Sequence, residues 1–265
     1  MIGRAVGKGF TTARDWLGRG LVKLGVTPNA LSLTGMVLMV AAGVCYAFGA
    51  GSRFAWSLAP FAEANCYLLA AGVLMVLANA CDMLDGAVAR LGGKKTPFGA
   101  FLDSTLDRYS DFAVYAGIVV FYSWNSPANV TFMLLALAAF VNAFMISYTR
   151  ARAEDIIQFC TVGYWQRGER SVAILIATFA HNIPALLVQQ AALPLLTVLR
   201  RIAYTRAVTA GRSPVVDPRG GGFWLKVRLW RWPRATPAYD AVTLLNITWL
   251  IFARFQPADL LRRIG

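Results

Sequence analysis

Long apolar runs separated by short polar connections dominate the chain. Such runs occur at about 29–49, 66–88, 99–123 and 128–149, and each meets the length of about 20 residues that a bilayer-crossing helix requires. Four crossings are expected from these alone. The stretch 168–205 has 38 residues, too many for one crossing and barely enough for two, with His181, Asn182 and Pro184 in the middle where a tight turn could sit. The last apolar piece, 240–256, is short and ends near Arg254, so a half-buried helix and a seventh crossing are both open. Ahead of the first run, Phe10, Trp16, Leu17 and Leu21 alternate with Arg4, Lys8, Arg14, Arg19 and Lys23 at roughly helical spacing. This predicts a helix lying in the membrane interface, a solvated basic arm being the alternative. Its cations are spread out rather than gathered before an apolar core, so residues 1–26 are expected to stay on the mature protein.

The basic residues orient these segments. Residues 1–27 hold five, 90–98 three, 150–170 four and 200–238 nine, whereas the alternate connections hold only Arg53. An asymmetry of twenty-one to one is the positive-inside pattern for six crossings with a cytoplasmic N-terminus, and it requires 168–205 to go out and come back. The expected fold is therefore an all-α integral membrane protein with six transmembrane helices and an N-terminal interfacial helix. Its segments are 1–26, a membrane domain over 27–205, a basic Trp-, Gly- and Pro-rich cytoplasmic loop over 206–238, and a membrane-associated segment over 239–265. No internal repeat of the kind that builds inverted transporter halves is visible.

Composition sharpens the picture. Hydrophobic residues make up 57% of the chain against 15% charged, which excludes an ordinary soluble domain, and the net charge of +13 points to an anionic membrane surface or phosphate-bearing substrates rather than nucleic acid. Cys45, Cys66, Cys81 and Cys160 form no CxxC pair and read as free thiols.

The chemistry lies in the acidic residues. Of only thirteen, Asp82, Asp85, Asp103, Asp107 and Asp111 fall within 30 positions on otherwise apolar segments, where carboxylates are costly and face a partner or a polar cavity. Asp82 and Asp85 share a helix face with Gly86 and Ala89, where phosphates could approach; Gly99, Asp103 and Asp107 stack four apart on the next segment. Two helices so armed can gather four carboxylates. Such hard oxygen ligands select Mg²⁺ or Mn²⁺, and a pair of ions could grip a pyrophosphate while one carboxylate serves as general base. A buried charge network, for instance Asp107 with Arg108 or Arg90, is the structural alternative. Asp111, one turn beyond Asp107, reads as support or as partner to a nearby polar group. His181, at the expected external turn, is not expected to be catalytic.

Residues 82–107 match D-x2-D-G-x2-A-R-x8-G-x3-D-x3-D at every fixed position, and this resembles the signature of the CDP-alcohol phosphotransferases. Thr27-Pro28-Asn29-Ala30-Leu31-Ser32 is similar to that family's lead-in to its first membrane helix, and six spans is the family's fold. The resemblance covers about residues 25–205. It implies that Asp82, Asp85 and Asp103 ligate divalent metal, with Asp107 closing the site and acting as base toward an acceptor hydroxyl. Pro28, Asn29, Ser32, Gly86, Ala89, Arg90 and Gly99 would line the nucleotide and donor site together with Asp82. The donor it implies is CDP-diacylglycerol, with CMP released at the cytoplasmic face of a bacterial cell membrane, and pairing into a homodimer is a family expectation.

Tyr148-Thr149-Arg150-Ala151-Arg152-Ala153-Glu154 looks similar to the Y-x-K-A-R-A-E stretch of phosphatidylinositol phosphate synthases, and Gly168-Glu169-Arg170 resembles a Glu-Arg pair in the same enzymes. The resemblance implies a phosphorylated polyol acceptor, inositol phosphate being favoured, bound by Arg150, Arg152 and Arg170. Arginine at 150 departs from the lysine common there. Glycerol 3-phosphate, or an unphosphorylated alcohol, is the alternative acceptor within the same chemistry, and the positive-inside rule alone could account for these arginines. A cation-coupled transporter whose aspartates bind the ion is the alternative from another class.

Overall fold

The structure is a computed structural model that describes residues 2–50, 65–124, 128–212, 223–230, 232, 234 and 236–253, with side chains from Thr11 onward. The expected features at Arg53, Gly220–Gly222 and Arg254, and the side chains of Arg4, Lys8 and Phe10, lie outside these. The described residues fold into helices without strands: α1 (Ile2–Lys23), α2 (Pro28–Gly49), α3 (Cys66–Leu91), α4 (Pro97–Trp124), α5 (Val130–Glu154), α6 (Arg167–Phe179), α7 (Ile183–Thr209), α8 (Phe223–Leu229) and α9 (Pro237–Phe252).

Capping chemistry sets the starts of α2 to α5. Thr27 Oγ1 accepts the Ala30 N–H ahead of Pro28 in the first helical position, Asn65 Oδ1 accepts from Tyr67 and Leu68, Thr96 Oγ1 accepts from Gly99, and Asn129 Oδ1 accepts from Phe132. Each cap satisfies an N–H that the first turn leaves without a partner.

By length and composition α2, α3, α5 and α7 can each cross a membrane. Their outward faces carry Val37, Val44, Val76, Leu134 and Val141, which are exposed, as a lipid-facing surface requires. The apolar run at 99–123 does form a helix, α4 with 28 residues, but Asp103, Asp107, Arg108 and Asp111 make it more polar than the four. The stretch 168–205 divides as expected, reversing through residues 180–182, where His181 takes a positive φ of 52°. The first arm is short, since the 13 residues of α6 rise only about 20 Å against the about 30 Å of a hydrocarbon core. Part of the expected 206–238 loop is helical: residues 206–209 finish α7, and 223–229 form α8.

Small residues allow the helices around the acidic segment to approach closely. A Cβ at Gly117 on α4 would run into the backbone carbonyl of Gly43 on α2, and one at Gly43 would strike the carbonyl of Ala113. This is the small-residue crossing that membrane helices use where packing and not water drives association. Gly117→Ala is expected to destabilise the protein by about 1–3 kcal/mol, read as a lower melting temperature in detergent; an unchanged melt would mean the crossing has slack.

Polar groups inside the bundle are matched to defects in it. Pro194 interrupts α7 and has no N–H to offer the carbonyl of Gln190, four residues earlier. Asn142 on α5 fills the gap, its Nδ2 donating to Gln190 O at 3.1 Å and to Ala191 O at 2.7 Å. Arg201, 1% exposed, donates through Nε to Val162 O at 3.1 Å and through NH1 to Ile146 O, tying α7 to the end of α5.

The C-terminal helix is stitched to the bundle by its polar groups. Asn182 donates to Leu250 O and Ala253 O, Gln189 to Asn246 Oδ1, and Trp249 Nε1 to Ala185 O. Leu244, Leu245 and Phe252 remain exposed on its other side. At the opposite end of the chain α1 lies against α3, with Gly18 facing Ala87 and Leu91.

Candidate active site

Three carboxylates from two helices converge. Asp82 and Asp85 stand one turn apart near the end of α3, Asp103 lies in the second turn of α4, and one oxygen from each falls within 4.8 Å of the others. Asp107 is outside that triangle, one turn further along α4. Ser32 on α2, one of the residues expected at the nucleotide site, donates its hydroxyl to Asp85 Oδ2 at 2.5 Å. The donor set is all carboxylate, which fits Mg²⁺ or Mn²⁺ and does not fit a soft thiolate-binding metal.

The counter-charge comes from Arg167, which in the sequence is one of the four cations of the 150–170 connection. Arg167, the first residue of α6, places NH1 2.7 Å from Asp82 Oδ1 and NH2 2.6 Å from Asp107 Oδ1. Its planar fork bridges the two acidic helices from a third element. A cavity of about 20 Å³ remains among Ser32, Asp82, Asp103, Asp107 and Arg167. Arg108, raised as a structural partner of Asp107, is a looser neighbour at 3.6 Å; Arg90 is exposed at the end of α3. The charged run Arg167-Gly168-Glu169-Arg170, opening an apolar segment, was the signal that could have singled out Arg167.

The glycines of the motif differ in their surroundings. A Cβ on Gly86 would meet nothing within 4 Å, leaving an open approach beside Asp85 and Ala89. Gly99 is confined, with Thr96 Oγ1 3.1 Å and Asn29 Oδ1 3.5 Å from where its Cβ would stand. Asn29 and Pro28, in the first turn of α2, thus border the start of α4.

The three arginines expected at an acceptor phosphate have different settings. Arg170 is 3% exposed and pairs with Asp111 at 3.2 Å, which makes Asp111 the partner of a polar group, as its position suggested. Arg150 bonds Glu154 at 3.0 Å on its own helix, and Arg152 forms a surface pair with Asp155 at 3.2 Å. Glu169, beside Arg170, accepts from Arg234 Nε at 2.9 Å and from the Tyr239 hydroxyl at 2.7 Å. Burial works against the Arg234 charge, but the Glu169 carboxylate outweighs it and raises its pKa. The segment after α8 therefore holds the start of the helix that carries Arg167 and Arg170, a link with no sequence signal because the partners are 65 residues apart.

Comparison with known proteins places this geometry. The chain is 32% identical to archaetidylinositol phosphate synthase of Methanothermobacter thermautotrophicus over 69% of its own length and 84% of the relative's. It is 33% identical to phosphatidylinositol phosphate synthase of Mycobacterium tuberculosis over 63% of its length and 70% of that protein's. The crystal structure of the M. tuberculosis enzyme with CDP-DAG bound superposes with a TM-score of 0.60 at 28% identity, covering 72% of this chain and 92% of that one. The same enzyme in complex with manganese and citrate gives 0.61 at 27% identity, covering 80% and 97%. The CDP-alcohol phosphatidyltransferase family model matches residues 25–210, the span that holds α2 to α7 and every carboxylate of the cluster. The chain belongs to the CDP-alcohol phosphatidyltransferase family, and the acidic cluster lies within the residues that match it.

Proposed function

We propose that the protein transfers the phosphatidyl group of CDP-diacylglycerol to a hydroxyl of a phosphorylated polyol, inositol phosphate being favoured, and releases CMP. The observation that carries the mechanism is the division of the four carboxylates into three plus one: Asp82, Asp85 and Asp103 cluster within 4.8 Å, and Asp107 stands apart. Asp82, Asp85 and Asp103 would hold divalent metal, Mg²⁺ or Mn²⁺, with Asp107 closing the site of a second ion. When bound, the metal supplies positive charge against the pyrophosphate.

The residues of the chain divide the remaining work. Arg167 holds Asp107 Oδ1, and Oδ2, with only the looser Arg108 contact at 3.6 Å, takes the proton of the acceptor hydroxyl. As that proton moves, the hydroxyl oxygen bonds to the phosphorus that bears the diacylglycerol, and the bond from this phosphorus to the bridging oxygen breaks, so CMP leaves with the electron pair. Ser32 orients Asp85. The open side at Gly86 admits the nucleotide, Ala89 and Arg90 continue that wall, and Gly99 with Pro28 and Asn29 borders it. Arg150, Arg152 and Arg170 provide the acceptor-phosphate site, with Arg170 set deepest.

The membrane arrangement belongs to the same reading. Helices α2 to α7 form six spans in the membrane of a bacterial cell, with α6 too short to cross unaided. The chain begins on the cytoplasmic side, α1 lies in the interface, and the acidic cluster faces the cytoplasm; the charge asymmetry of the connections supports this. The exposed aromatic face of α4 and α5, with Phe101, Tyr109, Phe112, Phe144 and Tyr148, supports pairing of two chains there.

The direct test is CMP release by purified protein from CDP-diacylglycerol with Mg²⁺ or Mn²⁺, offered separately inositol 1-phosphate, glycerol 3-phosphate, free inositol and serine. Release with inositol phosphate alone supports the reading; release with glycerol phosphate alone transfers the acceptor site to that substrate. Arg150→Gln is the cleaner probe of that site, because Arg150 is partly exposed whereas removal of buried Arg170 strands Asp111. We expect its acceptor KM to rise about tenfold or more with donor KM little changed, the loss of one charge-assisted contact to a phosphate. Equal rises in both would remove Arg150 from the acceptor site.

A further inference from the structure

Outside the acidic site, a groove of about 950 Å³ runs between the second half of α7 and the short helix α8. It shares no residue with the carboxylate cluster. Apolar Leu199 and Ile202, each about half exposed, line it together with Arg200, Arg206, Arg212 and Arg228, and among the described residues no acidic one contributes to its wall. Arg167, Arg170, Arg234, Arg150 and Arg152 all meet a carboxylate elsewhere in the fold, but none of these four does among the described residues. Arg200 is partnered instead by the Trp230 ring, 5.8 Å from its centroid.

Four guanidinium groups in one groove repel each other, and no carboxylate among the described residues offsets them, so the groove suits a bound anion. The setting specifies what kind. The groove lies at the end of a helix able to cross the membrane, where headgroups begin, and the exposed Phe223 and Trp224 of α8 are residues that favour that depth. One part of the wall suits hydrocarbon and the other suits phosphate. We propose that the α7–α8 groove binds an anionic phospholipid, its phosphate held by Arg206, Arg212 and Arg228 and its chains lying along Leu199 and Ile202.

The test uses the full-length protein incubated with equal amounts of phosphatidylcholine and phosphatidylglycerol, with the retained lipid counted by native mass spectrometry. Wild type is expected to retain phosphatidylglycerol preferentially. Arg206, Arg212 and Arg228 are exposed, so replacement by Gln spares the core, and each replacement should cost about fivefold in that preference. Single variants carry the same expectation should the triple variant fail to fold. Lys94→Gln with Lys95→Gln removes two exposed charges elsewhere and should leave the preference intact. An undiminished preference in the arginine variants, or an equal loss in the lysine control, would overturn the proposal. A third arm adds soluble glycerol phosphate: failure to displace the lipid is expected, and displacement at equal concentration would make this a free-phosphate site and overturn the lipid assignment.

Discussion

Asp107→Asn is expected to abolish metal-dependent CMP release, by about a thousandfold or more. An amide at 107 is nearly isosteric but cannot accept the hydroxyl proton, and a positioned general base contributes about 10²–10⁴ in rate. The same change removes one of the two anions held by Arg167, so folding is expected to survive through the remaining bond to Asp82. Asp103→Asn gives the contrast. Asp103 belongs to the three-oxygen cluster, so its loss should weaken Mn²⁺ binding, measured as the metal-induced rise in melting temperature, more than Asp107→Asn does. If Asp107→Asn kept activity within about tenfold of wild type, the proton would have to go elsewhere and the three-plus-one division would lose its meaning.

Arg167→Gln should produce the second large effect, and its size depends on metal. Without metal, the guanidinium is the cation that bridges Asp82 and Asp107 at 2.7 and 2.6 Å. Removing it leaves partly buried carboxylates facing one another, a loss of about 2 kcal/mol once the partial exposure of Arg167 is allowed for. Divalent metal supplies the missing charge, so a Mn²⁺ titration followed by thermal denaturation should recover most of the lost stability. Apparent Mn²⁺ affinity should rise about tenfold, because the metal no longer competes with a resident cation for the same oxygens. Identical melts for wild type and variant in metal-free buffer would show that Arg167 is held by something other than these carboxylates.

The two variants bear on residues of different legibility. Asp107 was readable because the acids of a membrane protein are few and the helix repeat brings residues four apart onto one face. A local rule thus sufficed to stack Gly99, Asp103 and Asp107 and to pair Asp82 with Asp85. Arg167 was not readable as a site residue. Its 85-residue separation from Asp82 carries no periodic signal, and a cation at a helix start is what the positive-inside rule places there in any case. The same holds for Arg234 and Tyr239 on Glu169, and for Asn142 on the carbonyl that Pro194 leaves open. Ser32 was singled out for the nucleotide site, but its bond to Asp85 was not readable, since the two stand 53 residues apart.

What the sequence determined by itself is what local physics controls: apolar runs long enough to become helices, the turn between α6 and α7, and the sharing of a helix face by the acidic residues. The family signature added the identity of the chemistry. Only the tertiary structure decided which cation meets which carboxylate, how short α6 is, and that a segment beyond the family match holds the start of that helix. Those outcomes depend on how whole helices pack, through contacts such as Gly43 against Gly117, and packing brings together groups far apart along the chain. An arginine is free to pair with any carboxylate the fold presents, so its partner is set by where the helices finally lie and not by its neighbours in sequence.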